Sequence, residues 1–205
     1  MTNRREFLQI GVSATAWPLL SRAAHAAGLD QAGPAIRIAT VVYDTRFAES
    51  VAFADRCTAL GLTARAIEAD MTRLWYEEIY HRWQREPAAI AGLTAHGPMF
   101  CFAELARDVR MRLVFKAEHR TNGATGAHHV TGPISMLDGA VAACRGAGYG
   151  APIADVVSRC PQGRTEIASA SVGRDRVSLA AEAGSQEVPD ENALYTWVIA
   201  PATPA

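Results

Sequence analysis

The 205-residue chain has one lysine, Lys116; its other basic residues are all arginines. A Schiff-base mechanism would therefore have to use Lys116. No C-x-x-C occurs, which removes the commonest zinc and thioredoxin-like patterns, and the lack of C-x-x-C-H excludes covalent haem attachment. No G-x-S-x-G marks a nucleophile elbow. The turn after the third predicted strand matches neither phosphate-loop fingerprint. The turn Gly92-Leu-Thr-Ala-His-Gly-Pro98 offers only glycines beside a predicted helix start, where an anion could sit with help from Arg46 or Arg120. There is no basic stripe for nucleic acid and no polybasic run for anionic lipid. Beyond the first 26 residues no run is long and apolar enough to span a bilayer.

What is present begins with Arg4-Arg5-Glu6-Phe7-Leu8, an uncharged run to Leu20, and Ala24-His25-Ala26 after Arg22. A basic start, an apolar centre and a small-x-small triplet make a secretory signal. The pattern resembles the twin-arginine translocation signal, carried by Arg4, Arg5, Phe7 and Leu8. The h-region is mild, with Gly11, Ser13, Thr15 and Pro18 inside it. The resemblance covers residues 1–26 and implies cleavage after Ala26, passage through the twin-arginine translocase and a periplasmic destination. Proteins using that route are exported already folded, with a cofactor or a partner as common reasons. The sequence names no cofactor.

The expected mature domain, residues 27–205, is one domain with a sizeable core. The whole chain has 20 basic and 21 acidic residues; without Arg4, Arg5, Arg22 and Glu6 the mature part has 17 and 20, a net −3. Four cysteines permit two disulfides in an oxidising compartment. Cys144, near a predicted helix end, and Cys160, in the following loop, are the expected pair; Cys57 and Cys101 read as buried core residues.

Along the chain, AIRIATVVYD reads as a buried strand and RFAESVAFADRCTALG as a helix that Gly61 stops. TARAIEAD, AAIAGLTAH and MRLVFKAEHR read as strands, alternating with helices over MTRLWYEEIYHRWQREP and GPMFCFAELARDVR. This βαβαβαβ pattern over residues 35–120 predicts a doubly wound, mostly parallel three-layer sheet of Rossmann- or flavodoxin-like type. Residues 121–205 are less regular: TNGATGAHHVTG reads as a glycine-rich loop, PISMLDGAVAACRGAG as a helix, 165–181 as one or two short strands, and ALYTWVIAPA as a final strand.

In such a sheet, ligands bind outside the carboxyl ends of the strands. The strand ends present Asp44-Thr45-Arg46, Asp70, Thr94-Ala95-His96 and Glu118-His119-Arg120. Asp44, Asp70, His96 and His119 are the candidate acid–base groups, with Thr45, Arg46, Thr94, Glu118 and Arg120 as ligand contacts. Each Asp also has an ordinary use as a helix cap. Glu118, His119, His128 and His129 fall within twelve residues and form a candidate metal set, although adjacent histidines do not easily face one ion. The helix after Asp70 carries two stripes at spacings of four, 75/79/83 and 76/80. One should pack on the sheet, leaving Tyr76 on an exposed surface or a pocket wall.

Two readings follow. One is a small-molecule binder or enzyme acting at the strand-end crevice. The other is a non-catalytic accessory subunit, exported bound to a redox enzyme and docking through the Tyr76–Tyr80 stripe.

Overall fold

The computed structural model describes residues 34–122, 125–146, 148–163, 165–173, 177–180 and 193–202. The residues read above as a twin-arginine signal with its expected cleavage site, and the linker before Pro34, lie outside the described residues. Strands β1 (Ile38–Asp44), β2 (Ala64–Ile67), β3 (Ala89–Ala95), β4 (Met111–Asn122), β5 (Thr125–Pro133), β6 (Ile167–Val172), β7 (Val177–Ala180) and β8 (Leu194–Pro201) form one sheet in the order β2-β1-β3-β8-β4-β5-β6-β7. The helices are α1 (Ala48–Ala59), α2 (Thr72–Leu74, a π turn Trp75–Ile79, then Tyr80–Arg85), α3 (His96–Arg107), α4 (Ile134–Cys144) and α5 (Gly150–Val157). None of them is long and apolar enough to cross a membrane.

The fold is mixed α/β. The parallel expectation holds for β2, β1 and β3, which pair in parallel. It fails beyond β3, because β8 inserts between β3 and β4 and runs antiparallel to both. β8 wins that central place because it is apolar on both faces: Tyr195, Trp197 and Ile199 enter one core cluster, Leu194 and Val198 the other. The predicted glycine-rich loop after β4 is instead strand β5. Its Asn122–Thr125 register makes a tight hairpin, which can only be antiparallel. β6 and β7 extend the antiparallel half. Since β3 and β4 are both antiparallel to β8, they still run the same way, and the ends of β1, β3 and β4 reach the same sheet edge.

Period-2 alternation assigns each face. Val41, Ala91, Leu93, Val198, Phe115, Ala117 and Val130 pack on one side with Phe53 and Cys57 of α1 and with α4 and α5; this is called the α1 face. Val42, Ile90, Trp197 and Ile199 pack on the other with Trp75, Ile79 and Trp83 of α2 and Met99, Phe102 and Ala106 of α3, the α3 face. Among the described residues, the second core cluster contains none from β5 or β6. There the α3 face is polar: His129, Thr131, Ser169 and Ser171 pair across strands, His129 Nδ1 with Ser171 Oγ at 2.9 Å and Thr131 Oγ1 with Ser169 Oγ at 2.9 Å.

Two glycines do specific work. Gly61 (φ 84°) ends α1 as predicted: Leu62 N–H donates to the Cys57 carbonyl (3.0 Å) and Gly61 N–H to that of Thr58 (2.9 Å), a Schellman close. Gly92 lets the Trp197 indole lie across β3. A Cβ there would stand 2.6 Å from Trp197 Cε2 and 2.7 Å from the Val42 carbonyl oxygen. The indole Nε1–H then donates to Thr94 Oγ1 (3.1 Å).

Candidate functional site: two faces of one hairpin

β4 and β5 place successive side chains on opposite faces, so neighbours in sequence enter different environments. The register pairs His119 with His128 and Glu118 with His129. His119 and His128 point into the α1 face, where they are 1% and 7% exposed. Their Nδ1 atoms are 2.8 Å apart and hydrogen-bonded, and His119 Nε2 is 2.8 Å from Thr196 Oγ1 on β8. Cys144, the last residue of α4, brings Sγ to 4.0 Å from His119 Nδ1. Tyr149 stacks on His119 with ring centroids 4.1 Å apart and meets His128 edge-on. Glu49 of α1 accepts the Gly150 N–H at 2.6 Å, capping α5 beside the cluster.

Burial sets the chemistry of this group. Desolvation holds the His119 imidazole well below its ordinary pKa, and His128 adds to the effect. Desolvation lowers His128 as well, against an opposing pull from Glu49. Burial pushes the Cys144 thiol up to about 12. The Tyr149 phenol is also raised, first by burial and then by the charges of Glu49 and Cys144. At neutral pH the cluster therefore holds two neutral imidazoles, a thiol and a phenol.

On the α3 face the same level of the sheet carries a polar row. Thr94 registers with Tyr195, Tyr195 with Glu118, Glu118 with His129, and His129 with Ser171. Buried Glu118 accepts from Arg120 Nε at 2.6 Å. His96, first residue of α3, meets the Tyr195 ring edge-on at 5.3 Å and stacks on exposed Phe100 at 5.7 Å.

The sequence-predicted residues divide accordingly. Thr94, His96, Glu118 and Arg120 are gathered at the predicted sheet edge. Asp44 reaches the same edge, but its fully buried carboxylate is bound by its own neighbour, accepting from Arg46 N–H (3.1 Å), Nε (2.9 Å) and Nη2 (2.7 Å). Thr45 Oγ1 donates to the Ile67 carbonyl (3.3 Å), closing the β1–β2 corner. Asp70 is exposed and accepts the Thr72 N–H (2.8 Å) at the start of α2; these hydrogen bonds lower its pKa. Tyr76 is 63% exposed on α2, while Trp75, Ile79 and Trp83 are in the core, so the two stripes separate as expected.

Three expectations are corrected. The metal set Glu118, His119, His128 and His129 is split by strand alternation, with His119 and His128 on one face and Glu118 and His129 on the other. Cys144 and Cys160 are free and buried, so the expected disulfide is absent; Cys144 turns into the histidine cluster, while Cys160 sits where its carbonyl accepts the Ile36 N–H (2.7 Å). Cys101 is exposed, not core, because Met99 and Phe102 occupy the buried side of α3.

Tyr195, Thr196, Tyr149, Glu49 and Ser171 were not singled out by the sequence, nor was Cys144 as a partner of histidine. The available signal was Asn122-Gly123, a hairpin dipeptide, midway between a run ending His119-Arg120 and one starting Ala127-His128. Comparison of the chain with protein-family models, with curated proteins and with solved structures returned no match.

Proposed function

We propose that the protein is exported by the twin-arginine route and binds a small carboxylate- or phosphate-bearing molecule on the polar half of its α3 face. The row from Thr94 through Tyr195, Glu118 and His129 to Ser171 carries this reading, because it sets hydroxyl, carboxylate and imidazole groups level where the α3 face passes from the apolar core, which includes Tyr195, to the polar strands β5 and β6. Lys116 registers with Trp197 and Thr131 and adds a second cation to that face. Arg120 supplies a guanidinium suited to an oxyanion, with Glu118 fixing its position. His96 and His129 are the candidate proton-transfer groups if the bound molecule is also transformed.

The test is a panel of small organic acids and phosphate esters screened by thermal shift. A ligand whose stabilisation is lost in Arg120→Gln and His129→Gln, with both variants folded, supports the reading. A panel without hits, or hits indifferent to both changes, counts against it. For the route, changing Arg4 and Arg5 to lysine should block export, and the exported chain should begin at Ala27. Export indifferent to the pair would refute it.

A second reading rests on the exposure of Tyr76 (63%) and Phe100 (51%) on the layer that covers the α3 face. These rings suit docking to an exported redox enzyme. Tyr76→Ser with Tyr80→Ser would then release a co-purifying partner without altering the fold.

A further inference from the structure

The ligand atoms of His119, His128 and Cys144 lie within 4.8 Å of one another, and all three residues are buried. We propose that they bind one transition-metal ion of the zinc class through the two Nδ1 nitrogens and the Cys144 thiolate. Two imidazoles and one thiolate form a borderline-to-soft donor set that suits zinc and copper and disfavours magnesium or calcium. The three donors come from β4, β5 and the end of α4, so the fold, not a local loop, brings them together. The site is independent of the ligand row proposed above, which occupies the other face of the same hairpin.

The spacing is close to what an ion requires. Bonds of zinc length at tetrahedral angles put two nitrogens about 3.4 Å apart and a nitrogen and sulfur about 3.6 Å apart. The observed separations are 2.8 Å between the Nδ1 atoms and 4.0 Å from Cys144 Sγ to His119 Nδ1. The three donor atoms all lie within 4.8 Å of one another, so side-chain shifts of up to about one ångström bring them to an ion. Three protein donors leave a fourth position for water or an exogenous ligand, the arrangement of an open site.

The surroundings fit the tautomer that binding demands. Each Nδ1 must present a lone pair, so each ring must carry its proton on Nε2. His119 Nε2–H then donates to Thr196 Oγ1, which lies 2.8 Å away and orients the ring. Tyr149 fixes the same ring by stacking. The proton balance is simple: a divalent ion displaces one proton, from the Cys144 thiol, and forms the metal–sulfur bond. The charge left is one positive unit, and the Glu49 carboxylate, whose field reaches His128 and Tyr149, offsets it.

The test uses the full chain, stripped with chelator and titrated with Co2+ as the probe. Bound metal is read by elemental analysis and by the near-ultraviolet thiolate-to-cobalt absorption. The expected result is one cobalt per chain with that absorption. Cys144→Ala should lose the band, His128→Gln should weaken binding more than tenfold, and Thr196→Val should weaken it about tenfold through the ring it orients. Cys101→Ser and His129→Gln, an exposed thiol and an imidazole of the opposite face, should bind like the parent. Absence of stoichiometric cobalt overturns the proposal, as does a band that survives Cys144→Ala or that depends on Cys101 or His129. Should Cys144→Ala fail to fold, loss in His128→Gln with retention in Cys101→Ser supports the site, and any other pattern of those two overturns it.

Discussion

The buried imidazole pair should make the metal-free protein acid-labile well above the carboxylate range. His119 and His128 are neutral in the folded state, and burial holds both below the ordinary value of 6.5. On unfolding each regains that value and takes up a proton whenever the pH is lower. The unfolded chain thus binds more protons below pH 6.5, and stability falls as the pH falls. Above about pH 7 the effect is absent; it grows below 6.5 and levels off only at each folded-state value. For a group that stays neutral in the fold, going from pH 7.5 to 5.5 removes about 1.4 kcal/mol. His119, the more deeply buried and the more strongly shifted, should contribute all of that; His128, less shifted and opposed by Glu49, contributes up to the same amount. The expected loss is therefore about 1.4 to 2.8 kcal/mol over two pH units. Urea unfolding in the presence of chelator, followed by tryptophan fluorescence, measures it, since Trp75, Trp83 and Trp197 all lie in the core. His119→Gln should remove the His119 share of the slope, whatever its cost in absolute stability. A parent curve equally stable at pH 7.5 and 5.5, or an unchanged slope in His119→Gln, would refute the burial argument.

Other outcomes follow from packing and exposure. Gly92→Ala drives a methyl into the Trp197 indole and the Val42 carbonyl, and should cost about 3 kcal/mol, the upper end for overpacking, read as a lowered melting temperature; an unchanged melting temperature would show that β3 and β8 can separate there. Phe53→Ala empties a fully buried site between α1 and the sheet and should cost about 3 to 5 kcal/mol in urea unfolding. In thiol titration the native protein should react rapidly at Cys101 alone and the denatured, unoxidised protein at all four cysteines; two thiols on denaturation would restore a disulfide. Asp70→Asn keeps an acceptor for the Thr72 N–H and should leave both fold and ligand binding unaffected, whereas a loss of binding would return Asp70 to the site.

Local patterns made the first half of the chain legible. Val41 and Val42 face opposite cores as a buried strand requires, Gly61 stops α1, and 75/79/83 packs while Tyr76 does not. The second half depended on long-range choices. β8 reads as a strand from its composition, but nothing local says that it pairs with β3 and β4 together and thereby ends the parallel sheet. β5 reads as a loop because Gly126 and Gly132 dilute its β propensity, yet Gly132 is there to admit the Phe115 ring. α5 was missed because its N-terminal cap is Glu49, about a hundred residues away. The site was half legible for the same reason. Strand ends placed Thr94, His96, Glu118 and Arg120 at one edge, but sorting His128 from His129 required the β4–β5 register, and bringing Cys144 beside His119 required α4 to pack on the α1 face.

One hairpin sorts its side chains between two faces, and anomalous diffraction at the zinc edge from crystals grown with zinc reads that sorting out. The expected result is one strong peak bounded by His119 Nδ1, His128 Nδ1 and Cys144 Sγ, with His129 and Glu118 on the far side of the sheet. A structure with no peak there, or with zinc held by His129 and Glu118, would contradict it.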